Sequence, residues 1–139
     1  MDERDRFEQG MNLRRKTLGD DWVDSAATAT TDFSADFQEM VTRYSWGEVW
    51  SRDTLPRSTR SLVTIGMTVA LNRPEDFRGH VRAVLRGGVT PEEIREVLMQ
   101  TAIYCGVSAA DSAFRATEEI LAELGLTTSS RADRNSEDN

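Results

Sequence analysis

TPEEIREVLMQTAIYCGVSAADSAFRATEEILAELG (90–125) carries two helical patterns in succession. Thr90 stands where a helix cap stands, Pro91 takes the first helical position, and Glu93 sits where a carboxylate can reach back to the cap; this pattern opens a helix. Ile94, Val97, Leu98 and Thr101 then recur at three- and four-residue spacings, which puts them on one inward face as far as about Cys105. Gly106 breaks the pattern and Ser108 is the expected cap of the next helix. Ala110, Ala113, Phe114, Thr117, Ile120, Leu121 and Leu124 run as a second stripe to Gly125. With so short a break, the two helices are predicted to run antiparallel.

The same period extends upstream. SLVTIGMTVAL (61–71) is apolar almost all round and is expected to be the central buried helix, with Pro56 at its start and Asn72 as its stop. Pro74 opens another helix with Phe77, Val81, Val84 and Leu85 inward, closed by Gly87-Gly88. Phe33, Phe37, Met40, Val41 and Tyr44 predict an apolar stripe on a helix of about 33–45, interrupted by Gly47. A short helix is expected from Asp21 to Ala29 with Asp20 as cap. Residues 3–18 read as a weakly amphipathic arm, with Phe7, Met11 and Leu18 on one side, that needs a partner surface. Nowhere does the two-residue alternation of a half-buried strand occur. The prediction is all-α: a compact multi-helix subunit of antiparallel helix pairs, one domain over 1–126. The tail TTSSRADRNSEDN (127–139), with Ala132 as its one apolar residue, is expected to be disordered.

Composition narrows the function. At 139 residues the chain can bury about two-thirds of its unfolded surface. One Cys and one His exclude an internal disulfide, a Cys/His zinc cage and a CxxC redox pair. The charged start MDERDRFEQGMNLRR contains no apolar signal region, and no stretch approaches the length of a membrane span, so a cytoplasmic, membrane-free protein is expected. Seventeen basic against 24 acidic residues, net −7, argue against nucleic acid as a partner. The total hides a split: from Arg43 to Arg86 eight arginines face four acids, net +4, and none of the eight is a lysine. Guanidinium matches carboxylate bidentately, which suggests a local site for small anions; surface ion pairing is the competing reading.

Three blocks together, DFSADFQEMVTRY (32–44), YSWGEVWSRDTLPRSTRSLVTIGMTVALNRPEDFRGHVRAVLRGGVT (44–90) and PEEIREVLMQTAIYCGVSAADSAF (91–114), resemble the 4-carboxymuconolactone decarboxylases of the alkylhydroperoxidase-like superfamily. The resemblance covers about residues 10–125 without an apparent gap. It implies an all-helical homo-oligomer, commonly a hexamer, in the protocatechuate branch of the β-ketoadipate pathway. The implied reaction converts 4-carboxymuconolactone, a dicarboxylate lactone, into 3-oxoadipate enol-lactone and carbon dioxide with neither metal nor organic cofactor. The substrate's carboxylate is vinylogous to its lactone carbonyl, so the conjugated system itself accepts the electrons. What remains for the protein is a carboxylate clamp, stabilisation of the dienolate, a proton donor and exclusion of water.

Candidates exist for each role. Arg57 and Arg60, three apart at a helix start, are expected to bind carboxylate, or else to form interface ion pairs. His80, the one imidazole, lies at the edge of the Phe77–Val84 stripe; it is a candidate proton donor, or a structural residue. Glu48, flanked in WGEVW by Trp46 and Trp50, is expected to be poorly solvated and to hold a proton or orient His80; the alternative is pairing with Arg52 or Arg60. Trp46, Trp50 and Tyr44 are expected to wall the substrate pocket, or to be core. Cys105 is expected to be a small buried hydrophobe, and Met67 and Met99 packing residues. Asp111 occupies a position where the family often has an amide; if it touches substrate, its charge disfavours a dianion.

Three other functions compete. A thiol peroxidase of the superfamily needs a CxxC pair before its His, and the two positions counted back from His80 hold Arg73 and Asp76. A non-catalytic oligomeric small-acid binding protein would have lost the polar set, which is present. An enzyme acting on another lactone or 3-oxo acid stays open, because a pocket's shape depends on packing.

Overall fold

A computed structural model describes residues 1–126, and within them every regular element is a helix, as the periodicity predicts. α1 (Glu3–Leu18) and α2 (Asp20–Ala29) precede α3 (Ala35–Met40), which continues directly into a π-helical segment (Val41–Trp50). α4 (Arg57–Ala70), α5 (Pro74–Arg86), α6 (Pro91–Cys105) and α7 (Val107–Glu123) follow. The tail expected to be disordered lies outside the described residues. None of the described helices is long and apolar enough to cross a membrane.

The local signals of the 90–125 stretch are realised. Thr90 Oγ1 accepts from the Glu93 amide and Glu93 Oε1 accepts from the Thr90 amide, each at 3.2 Å, a reciprocal cap worth about 0.5–2 kcal/mol. α6 and α7 pack against each other and against α4 and α5 around Ile65, Val81, Ile94, Leu98 and Ile120, all fully buried. Burying each such side chain contributes about 1.5–3 kcal/mol before the ordering cost. Two caps differ from expectation. Gly106 and Gly19, both at positive φ, occupy the cap positions of α7 and α2, so Ser108 and Asp20 fall inside those helices.

The helix buried on both sides is α5, not α4. α4 turns Ile65 and Val69 inward but leaves Val63 and Met67 exposed, as is Leu71 just after it. α5 presents Phe77, Val81, Val84 and Leu85 to the α4–α6–α7 core. Its Gly79 and Ala83 face a second cluster formed by Leu18, Val23, Trp22 and Trp46 from the N-terminal half. Met67 and Met99 are exposed, and so is Cys105 at the last residue of α6; none of the three is the packing residue expected.

The N-terminal half departs furthest from the periodic reading. Phe33 is 98% exposed, and Phe37, Met40 and Tyr44 also face solvent. Phe33 precedes α3, and after Met40 the wider π-helical turn changes the phase, so Thr42, Trp46 and Gly47 become the inward residues. A close approach of α1 goes with this turn. A Cβ on Gly10 would collide with the Thr42 carbonyl oxygen and lie 2.8 Å from the Gly47 nitrogen, and one on Gly47 would lie 2.5 Å from the Arg6 carbonyl oxygen. Gly47 therefore does not interrupt the helix; it admits α1. The expected arm finds its partner surface within its own chain.

Candidate active site

The π-helical segment carries Trp46 and Trp50 four residues apart, and their rings stack at 4.6 Å between centroids. His80, on α5, continues the stack: its ring lies 5.8 Å from Trp50 and inclined by only 12°. The imidazole Nδ1 is buried without a hydrogen-bond partner among the described residues. Burial pushes its pKa below the ordinary imidazole value, and Asp76, one turn upstream, opposes the shift. His80 is thus brought together with two of the three predicted aromatics.

Glu48 and Tyr44 are not part of that group. Glu48 accepts from Arg6 Nη1 at 2.7 Å and its side chain is 52% exposed. The expectation of a carboxylate enclosed by indoles is therefore corrected, and its partner is neither His80, Arg52 nor Arg60. Glu48 lies two positions from each stacked indole, on a part of the turn that faces α1. The Tyr44 hydroxyl donates to Glu3 at 2.9 Å, with the Arg6 and Arg43 guanidinium carbons 5.5 and 5.8 Å from its ring centre. Tyr44 belongs to this exposed α1 clasp and does not join Trp46 and Trp50 in one wall.

Arg57 and Arg60 also diverge. Arg60 Nη2 donates to the Arg52 carbonyl at 3.3 Å, which ties the preceding loop to α4. Arg57, the first residue of α4, borders a cavity of about 480 Å³ that Lys16, Arg86, Ser58 and Ser61 also line. Among the described residues, no acidic side chain lines it. Ala83 and Val84 form part of its wall, one helical turn beyond His80 on the same side of α5, so cavity and stack are neighbours. Sequence reasoning missed Lys16 and Arg86. The all-arginine segment 43–86 contained Arg86, but nothing linked Lys16 to it. Asp111 is exposed, pairs with Arg115 at 3.1 Å and does not border the cavity. Among the described residues, no group of three or more His, Cys, Asp and Glu side chains could hold a metal ion.

Chemically, this half of the molecule offers a half-buried imidazole, an aromatic stack beside it and an adjoining cationic cavity. Residues 35–119 match the carboxymuconolactone decarboxylase family. The chain is 40% identical over 126 residues to a 4-carboxymuconolactone decarboxylase of Acinetobacter baylyi, covering 91% of this chain and 94% of that one. It is 33% identical over 118 residues to the nitrosuccinic acid decarboxylase of Metarhizium robertsii, covering 85% and 82%. A Pseudomonas putida sequence, also a 4-carboxymuconolactone decarboxylase, is 46% identical over 48 residues, all of its length and 34% of this chain.

Proposed function

The chain belongs to the carboxymuconolactone decarboxylase family, and on that premise we propose that it converts 4-carboxymuconolactone to 3-oxoadipate enol-lactone and carbon dioxide without a cofactor. Its substrate is a small molecule. The observation that carries the reading is the stacked, half-buried His80 beside a cavity lined by Arg57 and, among the described residues, free of acids.

In the proposed step Arg57 holds a substrate carboxylate while the carbon–carbon bond to the departing one breaks. The electron pair moves through the conjugated system to the lactone carbonyl and carbon dioxide leaves. His80, as imidazolium, then delivers a proton to the ring carbon and is reprotonated from solvent. Burial disfavours that imidazolium in the free protein, whereas a bound polyanion favours it, so substrate itself primes the acid. Trp46 and Trp50 keep water off the developing dienolate. Of the two titratable candidates, His80 is the proposed donor. Glu48, committed to Arg6, is assigned to holding the π-helical turn that carries the indoles, with Tyr44 in the same clasp; Arg60 braces the start of α4.

The two longer relatives are named for decarboxylating different acids, which supports the reaction class more strongly than the particular lactone. The proposed setting is a cytoplasmic homo-oligomer, a hexamer by family resemblance, with one catalytic domain over 1–126 and no nucleic-acid or membrane partner. Proton NMR of the product formed from freshly generated 4-carboxymuconolactone tests the proposal. Enol-lactone is expected; unchanged substrate, with turnover of another lactone or 3-oxo acid, would reassign the substrate.

A further inference from the structure

The cavity at the start of α4 joins three chain regions that sequence spacing keeps apart. Lys16 comes from the last turn of α1, Arg57 from the first residue of α4 and Arg86 from the last residue of α5. All three are exposed at the cavity rim, and none forms an ion pair among the described residues. Among the described residues, eight of the twelve other arginines have a carboxylate within 4 Å, whereas the rim has none.

The floor and the backbone point the same way. Ser61 is only 2% exposed and lines the cavity with a hydroxyl that has no hydrogen-bond partner among the described residues. Pro56 caps α4 without a side-chain hydrogen bond, so the first amides of this 14-residue helix are left for a ligand, at the positive end of its dipole. Arg86 is held in advance: its Nη2 donates to the Leu18 carbonyl at 2.7 Å, and its guanidinium lies against Gly19, where a Cβ would come within 2.7 Å of Nη1. A glycine at φ +90° is what allows that approach.

Building on the function proposed above, we propose that Lys16 and Arg86 are substrate-binding residues which, with Arg57 and Ser61, hold the carboxylate that the substrate keeps. The end of α1 is then part of the substrate site. The departing carboxylate is directed along α5 toward His80, one turn from the cavity wall. A small acid with two or more carboxylates fits this arrangement, one group on the cationic rim and another beside the stack. A monocarboxylate engages only one of the two positions.

Calorimetric titration of the full-length protein with tricarballylate, beside steady-state decarboxylation, separates this proposal from the one it rests on. Lys16→Gln is the primary variant, because the Lys16 ammonium makes no hydrogen bond or ion pair among the described residues; Arg57→Gln is the second. Tricarballylate is expected to bind the wild type, to bind each variant about tenfold or more weakly at unchanged melting temperature, and to lose affinity with added salt. In Lys16→Gln the KM for the lactone should rise by more than kcat falls. Equal tricarballylate affinity in wild type and Lys16→Gln, or none in the wild type, overturns the site. Charge-dependent tricarballylate binding by a protein that releases no carbon dioxide from the lactone sustains the anion site and overturns the decarboxylation reading instead.

Discussion

The His80 imidazole lies 5.8 Å from the Trp50 ring and nearly parallel to it, so an indole covers one face of the only histidine in the chain. The cover shields that face of the ring from water, and the buried Nδ1 has no hydrogen-bond partner among the described residues. An imidazole so placed resists protonation until a negative charge arrives nearby. That dependence on substrate charge links the fold to the proposed chemistry.

His80→Gln removes the proposed proton donor while keeping a polar side chain of similar reach. Turnover is expected to fall about 10²-fold or more, a usual scale for loss of a general acid. Helicity by circular dichroism and the oligomer by light scattering should be unchanged. Near-normal kcat in a folded variant would remove His80 from the mechanism.

The pH dependence has a definite sign. Burial lowers the His80 pKa in the folded protein, with Asp76 partly opposing. The associated stability is therefore fully present above the ordinary imidazole pKa and is lost as pH falls through the lower, folded value. An NMR titration of the single imidazole should show a midpoint below the ordinary value in the free wild type. In Trp50→Ala the midpoint should rise toward that value as water returns. A midpoint at or above the ordinary value in the wild type would contradict the buried stack.

Gly10→Ala tests the fit of α1 on the π-helical turn. In an isolated helix this change would stabilise by about 1 kcal/mol. Here the new Cβ meets backbone atoms of Thr42 and Gly47, which no rotamer change can move aside. A net destabilisation of about 1–3 kcal/mol is expected from overpacking, read as a lower denaturation midpoint. A stabilised variant would show that α1 does not sit this closely.

Glu48→Gln distinguishes the two titratable candidates. Glu48 is half-exposed, and an exposed pair with Arg6 contributes about 0–1 kcal/mol. Stability should change by no more than this, and kcat should fall far less than in His80→Gln. An equally deep loss would make Glu48 the proton donor.

How much was legible depends on whether the signal was local. The Thr90–Glu93 cap and the stripes of α5 to α7 could be read because each depends on neighbours within one or two turns. The phase change after Met40 could not: it is tied to Gly10 pressing on Thr42 and Gly47, more than 30 residues away. That contact also reversed the expected burial of Tyr44 and set Glu48 on Arg6. His80 and Trp50 could be named as candidates, but not their stacking. Arg57 was found through its position at a helix start. Lys16 escaped notice because only tertiary packing brings the end of α1 beside Arg57 and Arg86.

In the proposed reaction His80, beside the cationic cavity, protonates the product of a cofactor-free decarboxylation. The most direct measurement is carbon dioxide release from freshly generated 4-carboxymuconolactone by metal-free protein, wild type against His80→Gln. Rapid release by the wild type and about 10²-fold slower release by the variant is the predicted result. No release by the wild type, or equal release by both, would contradict the account.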